Sequence, residues 1–322
     1  MSSPVHQVGA AGTAVPVSGS AVPAAGRREP RRTRKADRER ARMSYVFVSG
    51  YAALTLMFGL APTLYAAYMS FTRDGQFVGL DNFARVADDF RFWPAVTHVA
   101  LFIAFWLVGL LIFVVVLALL VHNIGLRWLS TGTRFVYYIP GALAGASSVM
   151  LWLFVLNPSV SPISWVLHRF GFETFVQTVS PQNLPVVFAC IAFWTGAGGW
   201  IVVMYGALNN VPVEVLEAAR IDGAGRIRTA VSIQLPMVRK WVTYMAIMSL
   251  AAGTQLFVEP RVLSQASRAV VPIDYSLNQL AYLYAFKQND HNGSAAIAIL
   301  LLVVSLGLSL FFVIRGGLFE RD

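Results

Sequence analysis

Long stretches without Asp, Glu, Lys or Arg alternate with short polar segments along most of the chain. Six of these stretches contain an apolar core long enough to cross a bilayer, which takes about 20 residues in a helix. They predict transmembrane helices near residues 45–69, 96–121, 135–156, 184–208, 241–262 and 294–314. The predicted fold class is therefore all-α, a polytopic membrane protein with six transmembrane helices.

The less regular stretches carry their own predictions. The fifth stretch, 241–258, is short and has to be extended past Glu259 to make a full span. A further stretch, 275–286, is too short to cross and predicts an interfacial or re-entrant helix. The first span is longer than the apolar region of a cleavable signal peptide, which is about 7–15 residues, so we expect a retained signal anchor.

The composition agrees with a chain that faces lipid. Hydrophobic residues make up 57% and charged residues 13%, with a mean hydropathy of +0.61, whereas soluble domains carry about 25% charged residues. This excludes an ordinary cytosolic enzyme, a secreted disulfide scaffold and a disordered chain. Cys190 is the single cysteine, so no intramolecular disulfide can form, and we expect it to be a small buried apolar residue.

The N-terminal 43 residues have a different character. Residues 1–26 contain no charged side chain, and residues 27–42 hold nine Lys and Arg against three acidic residues, which gives +6 of the net +9. We predict that residues 1–43 form a disordered basic cytoplasmic tail. A polybasic segment before a span fixes its orientation and contacts anionic lipid, so nucleic acid is the weaker alternative and is not an expected partner.

Basic residues are distributed unevenly across the predicted topology. Six spans put both termini on one side, and that side holds 18 of the 25 Lys and Arg, whereas the acidic residues divide eight and eight. An excess of Lys and Arg marks the cytoplasmic side of a membrane. We therefore predict a multi-pass protein of the bacterial plasma (inner) membrane with both termini cytoplasmic, including a short C-terminal segment, 317–322.

Sequence patterns of catalysis and metal binding are missing. The sequence contains no G-x-x-x-x-G-K-[ST], H-E-x-x-H or G-x-S-x-G, and its five histidines lack the spacing of metal ligands. Glu259 is the one plausible acid inside a predicted span, whereas ion-driven carriers need buried ionisable residues. We expect no enzyme activity, no catalytic residue, no cofactor and no metal, and we expect a separate subunit to supply energy.

Small and polar residues interrupt spans four and five. Glycine lets helices approach closely, so helix packing is one explanation. The other is a neutral, hydrogen-bonding wall with aromatic platforms, which suits the hydroxyl groups and C–H faces of a sugar. The candidate substrate-pathway residues are Trp194, Thr195, Gly196, Gly199, Ser249, Gly253 and Gln255.

The loop between these spans, residues 210–236, has the sequence of an ordered helix. Asn210 is a predicted N-cap and Pro212 a first-turn residue, and Gly223 and Gly225 are predicted to end the helix in left-handed conformations.

A second, basic helix is predicted over 226–234, with a stop at Leu235-Pro236. A helix that a membrane protein displays in water predicts a contact with a partner.

One run in this loop resembles a known family. Glu217-Ala218-Ala219, followed at fixed spacing by Gly223, Ile233 and Leu235-Pro236, resembles the EAA loop of the permease subunits of ABC importers. We therefore call residues 210–236 the coupling loop. Other segments resemble the carbohydrate-uptake (maltose and multiple-sugar) type of these permeases: Pro62 with Ser70-Phe71, Phe77 to Phe83, Trp152 to Trp165, Tyr284 to Phe286, and Gly293 to Ala296. The sequence departs from that type at Ser264-Gln265-Ala266-Ser267, where a Thr-x-Gly-Gly-Pro stretch is frequent.

The resemblance covers residues 44–316 and implies a six-helix ABC permease transmembrane domain. Such a subunit forms half of the pathway for a sugar or related neutral polyol in an ATP-driven importer, with substrate contacts in spans four and five. The implied partners are a second permease subunit, two copies of a cytoplasmic ABC ATPase, an extracytoplasmic solute-binding protein and the sugar substrate. The implied ATPase-coupling residues are Glu217, Ala218, Ala219, Asp222, Gly223 and Ala224. The alternatives are an ABC permease for a non-sugar solute, a secondary carrier or channel, and an intramembrane enzyme.

Overall fold

The computed structural model describes residues 34–123, 127–143, 145–267 and 270–315. The chain divides into two compact units, residues 1–59 and 60–322. The predicted tail up to residue 33 and the predicted C-terminal segment 317–322 lie outside the described residues.

The first unit is built on one long helix. α1, Arg34–Thr55, begins within the segment predicted as a disordered tail, and a π-helical turn, Leu56–Leu60, follows it. Residues 34–43 are helical here, and the Arg, Ala, Lys and Glu residues that dominate there are strong helix formers. The disordered tail stays a prediction. The apolar continuation, Arg42–Ser70, is a 29-residue helix long enough to cross a membrane.

The second unit contains a small hairpin and fifteen further helices among its described residues. In chain order these elements are α2 (Ala61–Ser70), β1 (Thr72–Arg73), β2 (Gln76–Phe77), α3 (Asp81–Ala87), α4 (Phe92–His122), α5 (Arg127–Tyr138), a 3₁₀ turn (Ile139–Ala142), α6 (Gly145–Val155), α7 (Ser164–Arg169), α8 (Phe175–Thr178), α9 (Leu184–Asn209), α10 (Val213–Ile221), α11 (Arg226–Thr229), a π-helical turn (Ala230–Gln234), α12 (Leu235–Met237), α13 (Arg239–Gly253), α14 (Val258–Ala266), α15 (Leu277–Phe286) and α16 (His291–Arg315). The two strands pair antiparallel with Thr72 opposite Phe77.

The pair of helices α4 and α9 forms the centre of this unit. α4 buries one stripe with a spacing of three or four residues, made of Ala95, Val99, Phe102, Trp106, Leu110, Val114, Ala118 and Val121. Its other face is equally apolar but exposed, for example at Phe105 and Ile112. A helix that is apolar all round suits a site where one face packs on protein and the other contacts lipid.

The third predicted span, 135–156, is not one straight helix. The chain turns by 103° between residues 130–142 and α6, after the 3₁₀ turn that contains Pro140. Proline lacks an N–H and clashes with the preceding turn, which explains a break at this point. Just before the bend, the Tyr137 carbonyl lies against Gly198 of α9, where a Cβ would collide with that oxygen.

The fifth predicted span, 241–262, is also broken. α13 and α14 meet at an angle of 46° across residues 254–257. The break leaves backbone groups without helical partners, and a side chain satisfies one of them: the Asn278 amide donates to the Thr254 carbonyl oxygen at 2.8 Å. The Ser305 hydroxyl also donates to the Thr254 hydroxyl at 2.9 Å. Broken helices at membrane depth depend on such contacts within the protein.

The short stretch predicted as an interfacial or re-entrant helix is helical as α15. It packs against α16 and the start of α4, and Leu280, Tyr284, Ala296 and Ile297 belong to a second apolar core there. The described part of the chain contains four helices long and apolar enough to cross a membrane, or six if each bent pair is one span. The predicted all-α polytopic fold is confirmed, and the sequence did not indicate the two bends.

Candidate functional site

α10 displays the middle of the coupling loop to solvent. The helix begins after Pro212, which occupies the N-cap position, whereas Asn210 closes the end of α9. The predicted N-cap at Asn210 is therefore wrong. The cause is Val211, which is buried in the main core, the apolar cluster built around α4 and α9. The chain therefore turns into the interior before α10 starts.

Gly223 ends α10 in a Schellman motif. Its φ is +76°, and the Ala224 N–H donates to the Ala219 carbonyl at 2.9 Å while the Gly223 N–H donates to the Arg220 carbonyl at 3.0 Å. Most side chains disfavour this left-handed conformation, so the position favours glycine, as the sequence predicted. Gly225 has a φ of −67° and precedes α11 as its N-cap. The second left-handed glycine was wrongly predicted, because one such residue is enough to end the helix.

The basic segment stays helical beyond its predicted stop. α11, the π-helical turn and α12 form one helical run up to Val238. Pro236 does not end this run, because it stands in the first turn of α12 after a widened turn, where its missing N–H is not needed.

Apolar side chains attach the coupling loop to the membrane helices. Leu216 packs against the main core, and Ala219 and Val238 are buried. A cavity of about 370 Å³ lies between the loop and the end of α4, with Arg220 and Arg226 on its wall. The other five predicted coupling residues are exposed or half-buried: Glu217, Ala218, Asp222, Gly223 and Ala224. The loop is therefore anchored on one face and open to solvent on the other.

Three of the predicted pathway residues line one cavity deeper in the second unit. Thr195 and Gly196 come from α9, and Gln255 from the break after α13, around a volume of about 190 Å³. The remaining lining residues are Phe102, Trp106, Ala192, Ala252, Leu256 and Glu259. We call this space the Gln255 cavity; its wall combines aromatic rings, small residues, an amide and one carboxylate.

Trp194 lines a different cavity from Thr195. That cavity measures about 440 Å³ and is lined mostly by aromatic and aliphatic side chains. The Trp194 ring meets the Trp152 ring edge to face at 6.1 Å. Cys190 also lines it and is exposed, so the expectation that this cysteine is buried is wrong. The cause is that α9 is apolar on its exposed side as well.

The other three candidates lie outside both cavities. Ser249 is 1% exposed, and its hydroxyl has no hydrogen-bond partner among the described residues. A Cβ at Gly253 would lie 2.9 Å from Ile103 Cγ1 and 3.0 Å from the Trp106 ring, so this glycine permits close packing on α4. Gly199 is exposed, with open space around it. The arrangement thus favours packing for Gly253 and leaves Gly199 accessible.

Sequence reasoning missed the contribution of α4 to the Gln255 cavity. Phe102 and Trp106 stack at 5.7 Å with nearly parallel rings and form one wall. Their four-residue spacing along one face of the span was the available signal. Hydropathy alone does not separate these inward rings from the exposed Phe105 beside them.

At the opposite end of the second unit, polar side chains connect segments that are far apart in sequence. We call residues 70–92 and 274–293 the hairpin end. Asn82 is fully buried, and its amide donates to the carbonyls of Ser70 and Thr72 at 3.0 and 2.9 Å. The Asn292 amide donates to the carbonyls of Met69 and Thr72 at 3.0 and 2.7 Å. These bonds tie the start of α16 to the hairpin.

Charged groups at the hairpin end form a second set of connections. Arg91 makes a two-pronged contact with Asp89 at 2.9 and 2.6 Å, and the Tyr284 hydroxyl donates to the same carboxylate at 2.7 Å. The hydrogen bond from Arg91 holds the pKa of Asp89 well below its usual range, and burial together with the Asp89 bond raises the pKa of Tyr284 to about 12. Burial raises the pKa of Asp290, but the hydrogen bonds from Arg85 and the Gly293 N–H, together with the charge of Arg85, outweigh it and leave that pKa lowered. Two of the segments that carry the family resemblance, 77–83 and 284–296, therefore lie together here.

Comparisons with known proteins agree with this architecture. No family model matches the chain. The probable ABC transporter permease protein YurN of Bacillus subtilis is 25% identical over 247 residues, which cover 76% of this chain and 83% of the relative. The sn-glycerol-3-phosphate transport system permease protein UgpA of Escherichia coli is 27% identical over 288 residues, covering 85% and 94%. The arabinooligosaccharides transport system permease protein AraP of Bacillus subtilis is 28% identical over 285 residues, covering 86% and 90%.

Solved structures match the fold. The crystal structure of a bacterial ABC transporter involved in the import of the acidic polysaccharide alginate aligns with a TM-score of 0.75 at 18% identity, covering 89% of this chain and 99% of that chain. A second crystal structure, of the alginate ABC transporter in complex with an alginate pentasaccharide-bound periplasmic protein, aligns with a TM-score of 0.74 at 19% identity.

The spans, the coupling loop and the structural match define the class of the protein: a polytopic α-helical membrane protein with the fold of an ABC-importer permease. The relatives then narrow the identification. The chain is similar over most of its length to permease subunits of ABC importers for sugars and related polyols, which confirms the resemblance found in the sequence. The relatives are transport subunits by name.

Proposed function

We propose that this chain forms half of the translocation pathway of an ATP-driven importer for a sugar or a related polyol. A binding protein on the outside would deliver the substrate, a second permease subunit would complete the pathway, and two copies of an ABC ATPase would supply the energy. The observation that carries the proposal is the coupling loop. Its exposed face, from Glu217 to Gly223, stands on an anchored helix, and none of its described side chains makes a hydrogen bond to another helix.

The geometry suggests how movement would reach the substrate. An ATPase that grips α10 pulls on Leu216 and Ala219, which pack inward. α9 runs without a break from Thr195 to Asn209, and 14 residue steps at 1.5 Å give about 21 Å. A stiff helix of that length carries a displacement of the coupling loop to the Gln255 cavity. The break between α13 and α14 supplies a second movable element beside the same cavity.

The orientation follows from charge. Placing the Lys- and Arg-rich side in the cytoplasm puts the coupling loop in the cytoplasm with both termini, and the hairpin end outside. An ATPase is a cytoplasmic partner and a delivering binding protein an external one, so this orientation places each partner beside one end of the molecule. The hairpin end would then be the stiff platform that meets the binding protein.

Gly223 gives the sharpest test of the coupling loop. No atom of the described chain lies within 4 Å of a Cβ built at this position, so a side chain there collides only with a partner. Asn accepts the left-handed conformation, so Gly223→Asn should leave insertion and pairing with the second permease intact. We expect it to lose co-purification of the ATPase, or the stimulation of ATP hydrolysis by loaded binding protein. Gly223→Asp should do the same.

Gly171 supplies the matched control. It has a φ of +82°, and a Cβ there likewise meets nothing within 4 Å, but it follows α7 far from the coupling loop in sequence. Gly171→Asn should keep full ATPase binding and stimulation. Wild-type behaviour of Gly223→Asn and Gly223→Asp in both assays would remove the coupling loop from the mechanism.

A second candidate function has one observation in its favour. The similarity to a permease protein for sn-glycerol-3-phosphate, at 27% identity, allows a phosphorylated polyol as the substrate. The two candidates share every mechanical part and differ only in the charge that the pathway has to accept.

A further inference from the structure

Glu259 stands at a point where a charge can act on a passing substrate. It lies in the first turn of α14, directly after the break in the fifth span, and its side chain is half-buried on the wall of the Gln255 cavity. The positive end of a helix dipole favours a negative charge in a first turn, which offsets part of the cost of placing a carboxylate on a half-buried wall.

No counter-charge faces Glu259 in the described part of the chain. The two ion pairs found there, Arg85 with Asp290 and Arg91 with Asp89, both belong to the hairpin end. Arg261 is close in sequence, but residues two apart on a helix do not face each other. Its guanidinium lies over the Tyr282 ring at 4.9 Å. Glu259 is the one charged residue among those that line the cavity, which contain no Lys, Arg or His.

Aromatic rings form another part of the same wall. Phe102 and Trp106 stack with nearly parallel rings at 5.7 Å, and both line the cavity. The cavity therefore combines one carboxylate without a counter-charge, Glu259, with an aromatic wall.

Hydroxyl groups match this combination, and anionic groups do not. A hydroxyl donates to a carboxylate, and the C–H face of a sugar packs on an aromatic ring, so a polyol fits both parts of the wall. A phosphate or a uronate brings a second negative charge next to Glu259, and two like charges repel strongly where little water is present. Repulsive elements of this kind give specificity even when attractive contacts are shared.

We infer that Glu259 makes this pathway selective for uncharged sugars and polyols and excludes anionic ones. The inference rests on the proposed transport function and sharpens its substrate class. It separates this chain from two proteins that it resembles, the permease named for sn-glycerol-3-phosphate and the transporter of the acidic polysaccharide alginate. It aligns the chain with relatives named for neutral oligosaccharides, such as arabinooligosaccharides.

The potential in the cavity can be measured without knowing the substrate. In a Cys190→Ala background, Gln255→Cys places a single thiol on the cavity wall, and Ser159→Cys places one at an exposed loop position as the control. The full-length chain, purified with the subunits that accompany it, is treated with a cationic and an anionic methanethiosulfonate of similar size. We expect the ratio of cationic to anionic reaction rates to be about ten-fold higher at Gln255→Cys than at the control.

Substitutions at Glu259 test whether its carboxylate is the source of that electrostatic potential. Glu259→Gln keeps the size and hydrogen-bonding capacity but removes the charge, so it should bring the rate ratio down to the control value. Glu259→Asp should keep most of it. A ratio at Gln255→Cys equal to the control, or one that Glu259→Gln leaves unchanged, would overturn the role of Glu259.

Uptake by cells that carry the complete system tests the substrate class. The probes are arabinose oligosaccharides and raffinose, which are uncharged, and sn-glycerol 3-phosphate and alginate oligosaccharides, which are anionic. We expect the cells to take up uncharged probes and neither of the anionic ones. ATP-dependent uptake of either anion by the wild type would overturn the inference. Failure of the Gly223 tests would remove the proposed coupling mechanism but would leave the cysteine result untouched, so the two proposals fail separately.

Discussion

The two ends of the second unit contain the same kinds of polar residues but use them differently. At the hairpin end, Tyr284 donates to Asp89 and Asn292 donates to the Met69 carbonyl, so both bonds join segments that are far apart in the chain. Arg91 holds the Asp89 carboxylate from two positions away. In the coupling loop, the Thr229 hydroxyl bonds locally to the Gly225 carbonyl, and apolar side chains such as Leu216 provide the attachment. A surface whose polar groups are satisfied internally is stiff by itself. A surface whose polar groups stay exposed is available to another molecule.

This difference predicts where a mutation should cost stability. Asp89 accepts hydrogen bonds from Arg91 and Tyr284, and its side chain is only 10% exposed. Asp89→Ala leaves both donors without their acceptor, and it should destabilise the fold by about 2–3 kcal/mol, the range for hydrogen bonds to charged groups. Thermal unfolding of the purified protein in detergent measures the loss.

Tyr284→Phe is the graded control for that variant. It removes one hydrogen bond and leaves the Asp89–Arg91 contact in place, so we expect a loss of about 1 kcal/mol. If the Ala variant costs no more than the Phe variant, the network at the hairpin end does not stiffen the molecule, and the comparison with the coupling loop loses its basis.

The hairpin end also shows what the sequence could and could not indicate. The segments 77–83 and 284–296 both resembled the same family, but nothing in the sequence indicated that Asp89 and Tyr284 would meet across about 200 positions. Hydropathy located the spans because lipid imposes length and apolarity. It was silent on the bends after Pro140 and at Thr254, because a charge-free stretch carries no information on direction.

The residues of the candidate cavity also fall into those that the sequence indicated and those that it did not. Thr195, Gly196 and Gln255 were found because small and polar residues stand out in an apolar span. Phe102 and Trp106 were missed because an inward ring and a lipid-facing ring are the same residue type in a sequence. Gly253 was assigned to the pathway, yet the contact that explains it comes from Ile103 and Trp106 on another helix.

Acid should weaken the hairpin end by a smaller amount. The pKa values of Asp89 and Asp290 are lower in the folded chain than in the unfolded one, so the folded state binds fewer protons. Their contribution to the free energy of unfolding is complete above the pKa of the unfolded chain, about 4. It is lost as the pH falls toward the pKa values of the folded chain. We expect a loss of about 1 kcal/mol between about pH 5 and pH 3, because only part of the shift is titrated in that range.

The measurement is thermal unfolding in detergent over that pH range. Asp89→Ala supplies the control. It removes one of the two carboxylates, so the loss of stability between about pH 5 and pH 3 should fall to about half of the wild-type loss. If that variant loses as much stability in acid as the wild type, the effect comes from other carboxylates.

The smallest effect on stability should come from the coupling loop. Glu217 is exposed on α10, and neither an ion pair nor a side-chain hydrogen bond from it is present in the described part of the chain. Glu217→Ala should therefore change the unfolding free energy by less than about 0.5 kcal/mol. It should still reduce the stimulation of ATP hydrolysis by loaded binding protein, since the proposed function places this carboxylate against the ATPase. Glu173→Ala, an exposed acid just before α8, should change neither quantity. A marked loss of stability in Glu217→Ala would mean that the loop, like the hairpin end, uses its polar groups internally.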